Sequence, residues 1–155
     1  MFGIGKYQYR TDKTYMVFTF ESKGPHGVIQ KIARFTKIGN NVYNFGFGDF
    51  DLITGNISDT VTSNNGDIEI IMGTLGSIVY DFTTLFMDAL IIVQGTNTAR
   101  TRLYQMNINK HWARINSLYD VSGLRNGKWE PFLKIVNYEM IAGKRKSTND
   151  VTKES

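Results

Sequence analysis

One stretch of this sequence constrains the fold more than any other, because its apolar residues recur with the period of an α-helix. In "NNGDIEIIMGTLGSIVYDFTTLF" they follow i, i+3, i+4, i+7 spacing over about four turns. Asn64 or Asn65 is placed to cap the start, and Asp67 and Glu69 suit the positive end of the helix dipole. The sequence therefore predicts a long amphipathic helix whose packed face is Ile68, Ile71, Met72, Leu75, Ile78, Val79 and Phe82.

The residues before this helix have the alternation of β-strands. Three segments, "KTYMVFTFES", "VIQKIARFTKI" and "VYNFGFGDFD", are separated by the turns "SKGPHG" and "GNN", and "DLITGNISD" leads into a short fourth strand. Strands joined by turns this short pair antiparallel. The first half is therefore predicted to be an antiparallel sheet.

The residues after the helix mix both kinds of element. "DALIIVQG" predicts a buried strand, and "TNTARTRLYQMNI" a second helix with Ala99, Leu103 and Met106 on its inner face. "NKHWARINSLY" either continues that helix or begins a third. Asn126-Gly127 is typical of a type I′ hairpin turn, and "LKIVNYEMIAGKRK" predicts a last strand. Together these elements predict a single α+β domain over residues 1–146: a mostly antiparallel sheet on one long helix, with a second helix and a C-terminal hairpin. Residues 147–155 are expected to be a flexible polar tail.

Composition excludes several classes of protein. The absence of cysteine rules out disulfides, thiolate catalysis and Cys-based zinc sites, and two histidines argue against a histidine-rich metal centre. No apolar run approaches the roughly 20 residues of a membrane helix, and the first residues lack the apolar core of a signal peptide. We therefore expect a cytoplasmic protein without metal, cofactor or membrane contact. Its formal charge of +4 favours anionic partners.

The segment "GTNTARTRLY", residues 95–104, is the first candidate site. A strand, a short polar loop and a helix N-terminus make a plausible anion site, since the first N–H groups of a helix are unpaired. Thr98 supplies a hydroxyl, Arg100 and Arg102 suit phosphate oxygens, and Tyr104 suits a base. The segment is neither a Walker A motif nor GxGxxG. The alternative is an ordinary helix start, with Thr98 as its cap, solvated arginines and Tyr104 packed at the rim.

The second candidate is a basic strand. Lys31 and Arg34 would bind phosphates beside Lys23 and Lys37, with Tyr15 and Tyr43 as stacking partners, as in many proteins that bind single strands on an open sheet. The alternative is that most of the eight tyrosines and ten phenylalanines belong to the core.

Two further constellations would support catalysis. The carboxylates Asp49, Asp51, Asp59 and Asp67 resemble the cluster of a Mg²⁺-dependent nuclease, although "GDFDLITGNISD" is equally typical of turns. His111, with Lys110, Arg100 and Arg102, has the parts of a metal-free ribonuclease. A surface histidine beside a half-buried tryptophan is the alternative for His111.

Four segments carry a resemblance to a known family: "FTFESKGPHGVIQKIARF", "YNFGFGDFD", "NNGDIEIIMGTLGSIVYDFT" and "GTNTARTRLY". The chain resembles a family of short bacterial proteins, mainly of the Bacteroidetes group, from about Tyr7 to about Lys146. That family has no established activity, so the resemblance implies no function. The element order is also similar to the single-strand-binding folds of the Pur-alpha and Whirly type, at the level of fold analogy.

These observations predict a small basic protein that binds single-stranded DNA or RNA. Lys110, Arg100 and Arg102 would bind phosphates, Tyr104 a base, and Lys31 and Arg34 the flanking strand. The alternatives are a metal-free ribonuclease of the toxin-antitoxin type, with His111 as the catalytic residue, and an interaction module for a small acidic protein. Whether any reaction is catalysed, and the oligomeric state, stay open.

Overall fold

The computed structural model of the chain describes residues 5–51, 53–55, 57–58 and 65–147. Its helices and mostly antiparallel strands make an α+β fold, which confirms the predicted class. The chain divides into two compact units. Unit 1 comprises residues 1–36 and 45–84, and unit 2 comprises residues 37–44 and 85–155. The predicted tail lies almost entirely outside the described residues.

Unit 1 contains the first strands in chain order. They are β1 (Tyr9–Thr11), β2 (Val17–Gly24), β3 (Gly27–Gly39), β4 (Val42–Phe50) and the two-residue β5 (Ile57–Ser58), and the ends of β3 and β4 extend into unit 2. Their order is β1-β2-β3-β4, with β5 on β4. β2 is antiparallel to both β1 and β3. The sequence missed β1, because "QYRT" is too short and too polar to show alternation.

The long helix α1 (Ile68–Leu85) packs on the aromatic side of these strands. Phe82 of α1 stacks on Phe35 of β3, with ring centroids 3.8 Å apart, and both side chains are buried. Phe18 meets Phe35 edge-on at 6.0 Å. By length and composition α1 could also span a membrane, but half of it is buried, as expected for a core helix. The predicted helix is confirmed, although Ile68 at its first turn is exposed.

Unit 2 contains β6 (Leu90–Val93), α2 (Thr98–Lys110), α3 (Trp112–Leu118), β7 (Tyr119–Arg125), β8 (Lys128–Pro131) and β9 (Met140–Arg145). The strand order is β6-β9-β7-β8, and the three neighbouring pairs are antiparallel. Asn126 and Gly127 both have positive φ, 52° and 74°, as a type I′ turn requires. The last strand, β9, is shorter than predicted: the first part of "LKIVNYEMIAGKRK" belongs to the connection between β8 and β9, residues 132–139.

The core of unit 2 depends on a polar helix face. Phe132, Tyr138 and Ile141 form a buried cluster. On α2 the buried residues are Thr101, Tyr104 and Gln105, whereas Ala99 and Met106 are exposed, so the predicted inner face was wrong. Gln105 explains the difference: its side chain donates to the carbonyl of Val136 and accepts from the N–H of Tyr138 at 3.0 Å. Because the Gln105 amide binds two backbone groups of the core, the polar face of α2 that contains Thr101 and Gln105 packs inward.

Candidate functional site

The 95–104 segment in unit 2 is built as a structural corner. Gly95 lies so close to α2 that a Cβ there would come within 2.6 Å of the Thr101 nitrogen. The Gly95 N–H donates to the Thr101 hydroxyl at 3.0 Å. Asn97 caps the helix, since its side-chain oxygen accepts from the Arg100 N–H at 2.8 Å. The glycine and the cap therefore serve the fold, and part of the predicted anion site is already occupied by the chain itself.

The predicted ligands of this corner separate in space. Thr98 is exposed and follows the cap, so the predicted capping by Thr98 was wrong. Arg102 is exposed, while Arg100 is half-buried and points to a different side of α2, because two residues along a helix are about 200° apart. Tyr104 is 7% exposed and cannot stack on a base from that position. The prediction of Tyr104 as a stacking residue is corrected.

The end of α2 carries the predicted catalytic histidine. His111 is half-buried at the junction of α2 and α3, and its backbone N–H donates to the carbonyl of Asn107 at 3.2 Å. Lys110 is exposed beside it. Arg102 and Lys110 are eight residues apart and lie on the same solvent side of α2. Trp112 stacks on Phe132 at 4.8 Å, so the residue after His111 belongs to the core. The catalytic role of His111 stays a prediction.

Lys31 in unit 1 is not on the surface. It is 4% exposed, its ammonium forms an ion pair with Asp49, and it lies 5.7 Å from the ring centre of Phe47. A lysine held in this way cannot reach a nucleic-acid phosphate, so its prediction as a phosphate ligand is corrected. Arg34 is exposed, as predicted for a ligand. Tyr43, proposed for stacking, is buried in unit 2.

The carboxylates have separate structural tasks. Asp49 pairs with Lys31, and Asp51 accepts from the backbone N–H groups of Ile53 at 2.8 Å and Thr54 at 3.3 Å. Those hydrogen bonds, that of Ile53 first, lower the pKa of Asp51. Asp67 is buried, and Asp59 lies outside the described residues. Within the described part of the chain, no group of three or more acidic or histidine side chains is arranged to hold a metal ion.

Asp67 organises a buried polar network in unit 1. It accepts from the hydroxyls of Ser22 and Tyr7, the latter at 2.6 Å, and the Asn65 side chain donates to Gly27 O at 2.9 Å. A Cβ at Gly24 would come within 2.0 Å of the Asn65 carbonyl oxygen. The "SKGPHG" turn and the "NNGD" helix start, which both lie in segments that carried the family resemblance, therefore meet in one structural network.

The strand register of unit 1 collects charged and polar side chains on one face, which we call the open face. Arg10 lies opposite Thr19, and Glu21 lies opposite Gln30. Because side chains alternate along a strand, these residues point away from the buried Phe18 and Phe20. Arg34, opposite Val17, extends the same face. The same register places the apolar Val17, Val28 and the buried Ile32 on this face. The charged and polar residues of the open face are Arg10, Thr19, Glu21, Lys23, Gln30 and Arg34.

A cleft of 420 Å³ lies at the edge of the open face. The pairing of β1 with β2 ends at Phe20, whereas β2 continues along β3 to Gly24. The chain before β1 therefore leaves the ladder and opens a gap. The cleft is lined by Lys6, Tyr7, Gln8, Tyr9, Arg10, Thr19, Phe20, Glu21, Lys23 and Gln30. Sequence reasoning named Lys23 but missed Lys6 and Arg10, because only the pairing of β1 brings them to this face.

The two tyrosines of the cleft are fixed by their hydroxyls. Tyr7 donates to Asp67 and accepts from the Lys23 N–H at 3.1 Å, and Tyr9 donates to Asp81 of α1. Burial is the main reason that the pKa of both tyrosines is raised, and the hydrogen bonds to these carboxylates raise it further. The ammonium of Lys6 lies 5.9 Å from the ring centre of Tyr9. These contacts make the wall of the cleft preformed.

Comparison with known proteins places the chain in a family. The model of a family of unknown function, DUF6934, matches residues 4–146. The chain belongs to this family. No curated protein and no solved structure gives a significant match. The match covers the whole span over which the resemblance was expected. The likeness to the Pur-alpha and Whirly folds stays a prediction.

Proposed function

We propose that this chain is a bacterial, cytoplasmic protein that binds single-stranded nucleic acid on the open face of unit 1. The observation that supports the proposal is that three cationic side chains of this face make no polar contacts with other described residues. The side chains of Arg10, Lys23 and Arg34 have no hydrogen-bond or ion-pair partner among the described residues. Lys6 adds a fourth cation at the cleft.

Unpaired arginine and lysine side chains on a sheet suit the backbone of a single strand. Each neutralised phosphate releases counterions, which supplies most of the affinity at low salt. A sheet also offers an extended surface along which several nucleotides can lie. Among the described aromatic residues of unit 1, Tyr15 is the exposed one, at 47%, and it replaces Tyr104 as the stacking residue in this proposal. An aromatic ring of this kind contributes about 1–3 kcal/mol per stacked base.

The cations of α2 have a lesser part in this proposal. Arg102 and Lys110 share the solvent side of α2 in unit 2, but the corner that precedes them is closed by Gly95 and Asn97. They add to the general attraction for an anion and define no pocket. The phosphate contacts that fix the strand are assigned to unit 1.

The proposal is tested by the binding of a fluorescent single-stranded oligonucleotide at low salt. The wild type is compared with the double variant Arg10→Ala/Lys23→Ala and with Lys13→Ala, which removes an exposed lysine outside the cleft. We expect the double variant to bind about tenfold more weakly, a loss of about 1.4 kcal/mol. The control should bind within about twofold of the wild type, and circular dichroism verifies that all three proteins are folded.

The same samples separate the alternatives. An intact oligonucleotide on a denaturing gel supports binding without chemistry. Cleavage that persists in EDTA and disappears in His111→Ala would favour the ribonuclease instead. If no oligonucleotide binds at low salt and an acidic protein co-purifies with the chain, the interaction module replaces the proposed function.

A further inference from the structure

The cleft of unit 1 places a carboxylate among its cations. Lys6, Arg10 and Lys23 line it together with Glu21, which is exposed. Within the described part of the chain, the Glu21 carboxylate has neither an ion pair nor a hydrogen bond. It therefore remains available as an acceptor at the centre of a positive surface.

The strand register fixes where this acceptor lies. On β2, Glu21 is two residues from Thr19, which faces Arg10, and two residues from Lys23. Two residues along a strand span about 6.4–6.8 Å. Along the strand direction, a cation therefore lies on each side of Glu21. Gln30 lies directly opposite Glu21 on β3. The pair Glu21 and Gln30 is therefore flanked by two pairs of opposite residues that each contain a cation, Arg10 in one and Lys23 in the other.

A carboxylate at this position opposes a ligand that offers only phosphate oxygens. Glu21 accepts hydrogen bonds and donates none, so it repels phosphate and attracts a hydroxyl or amino group. A ligand that suits both kinds of group carries an anion and a donor within one repeating unit. A ribonucleotide does so, because its 2′-hydroxyl lies between successive phosphates, and this hydroxyl lets a protein distinguish RNA from DNA.

We propose that the cleft selects RNA: Arg10 and Lys23 hold phosphates of a single strand, and Glu21 accepts a hydrogen bond from a ribose 2′-hydroxyl that lies between those phosphates. Gln30 provides a second, neutral partner for the sugar or the base. This inference rests on the proposed function and adds the class of nucleic acid. Glu21 lowers the affinity for DNA through its charge and recovers that loss for RNA through the hydrogen bond.

The test compares oligouridine with oligodeoxyuridine of the same length, because these strands differ only in the 2′-hydroxyl and their bases have no exocyclic amino group. Binding is measured for the wild type, Glu21→Ala, Glu21→Gln and Asp88→Asn, the last removing an exposed negative charge from unit 2. We expect the wild type to prefer RNA by about threefold to tenfold, as one exposed charge-assisted hydrogen bond allows.

Glu21→Ala should reduce this preference to about one while DNA affinity rises, because a negative charge is removed. Glu21→Gln keeps an acceptor and should retain part of the preference, and Asp88→Asn should leave it unchanged. If the wild type binds both strands equally, or if Glu21→Ala keeps the RNA preference, the inference is overturned and the proposed function stands. If neither strand binds the wild type at low salt, the proposed function itself falls.

Discussion

The two places where cations gather in this chain are built in different ways. At residues 95–104 the loop and the helix start are tied to each other, through Gly95, Asn97 and Thr101. On the open face of unit 1 the fixed groups are the tyrosines behind the surface, and Arg10 and Lys23 have no partner among the described residues. The corner uses its polar groups to hold its own shape, whereas the arginine and lysine side chains of the open face make no such contacts within the described residues.

This difference shows why a motif-like segment can mislead. Gly, Asn and Thr before a helix are the residues of an anion site, but they are also those of a capped and closely packed helix start. Only the contacts decide between the two. Substitutions in each region therefore distinguish residues that hold the fold from residues that bind a ligand.

The buried ion pair should have the largest effect on stability. Lys31→Ala leaves Asp49 without its cation in a largely buried site, and should lower the free energy of unfolding by about 3 kcal/mol. Lys23→Ala, on the open face, should lower it by less than about 0.5 kcal/mol. Urea unfolding measures both.

A matched double variant sharpens this result. Lys31→Met/Asp49→Leu removes both charges and should recover most of the lost stability, since two apolar side chains replace a desolvated pair. Equal and small effects of Lys31→Ala and Lys23→Ala would mean that Lys31 is on the surface and is available to a ligand after all.

The corner at 95–104 should be sensitive to added volume. Gly95→Ala places a Cβ within 2.6 Å of backbone and side-chain atoms of α2, so we expect a loss of about 1–3 kcal/mol in thermal or urea unfolding. Gly143→Ala in β9 is the control, because a Cβ there has no heavy atom within 4 Å. A neutral Gly95→Ala would show that the loop is loose, as an open ligand site would be.

Substitution of Arg102, in the 95–104 segment, should have a small effect on oligonucleotide binding. Arg102→Ala removes an exposed cation without a defined pocket, and should weaken oligonucleotide binding by about twofold or less. Arg10→Ala alone should weaken it more. A larger loss in Arg102→Ala than in Arg10→Ala would reverse the comparison between the two regions.

The fixed tyrosines predict a pH effect. The pKa values of Tyr7 and Tyr9 are raised above the ordinary 10.0, so the folded state favours their protonated forms. Their contribution to stability is fully present below pH 10 and is lost as the pH rises through the raised values. The ultraviolet absorbance of tyrosinate should therefore show a late-ionising fraction that decreases in Tyr9→Phe. Ionisation of all tyrosines near the ordinary pKa would contradict the fixed wall of the cleft.

Local patterns predicted much of the fold. The 3.6-residue period of α1, the alternation of β2 to β4 and the Asn126-Gly127 turn each depend on neighbours in the chain, and each was confirmed. The inner face of α2 was wrong because it depends on Gln105 and a loop about thirty residues away. Burial of Lys31 likewise depends on Asp49 of another strand.

The candidate surface was harder to predict for the same reason. Lys6 and Arg10 lie in a polar N-terminal segment with no motif, and they reach Lys23 only through the pairing of β1 with β2. Lys23 and Arg34 were named from the interleaving of basic and aromatic residues. The single-residue alternation of a strand then decided which of Lys31 and Arg34 faces solvent, and the aromatic composition gave no reason to prefer one.

The salt dependence of single-strand binding reports how many phosphates the cations of each region contact. For a single strand, the slope of log K against log salt changes by about 0.7 for each phosphate contact that is lost. Arg10→Ala/Lys23→Ala should therefore make the slope shallower by about 1.4, and Arg102→Ala/Lys110→Ala by less than half of that. An unchanged slope in the unit 1 variant, or the larger change in the α2 variant, would contradict binding of the single strand on the open face.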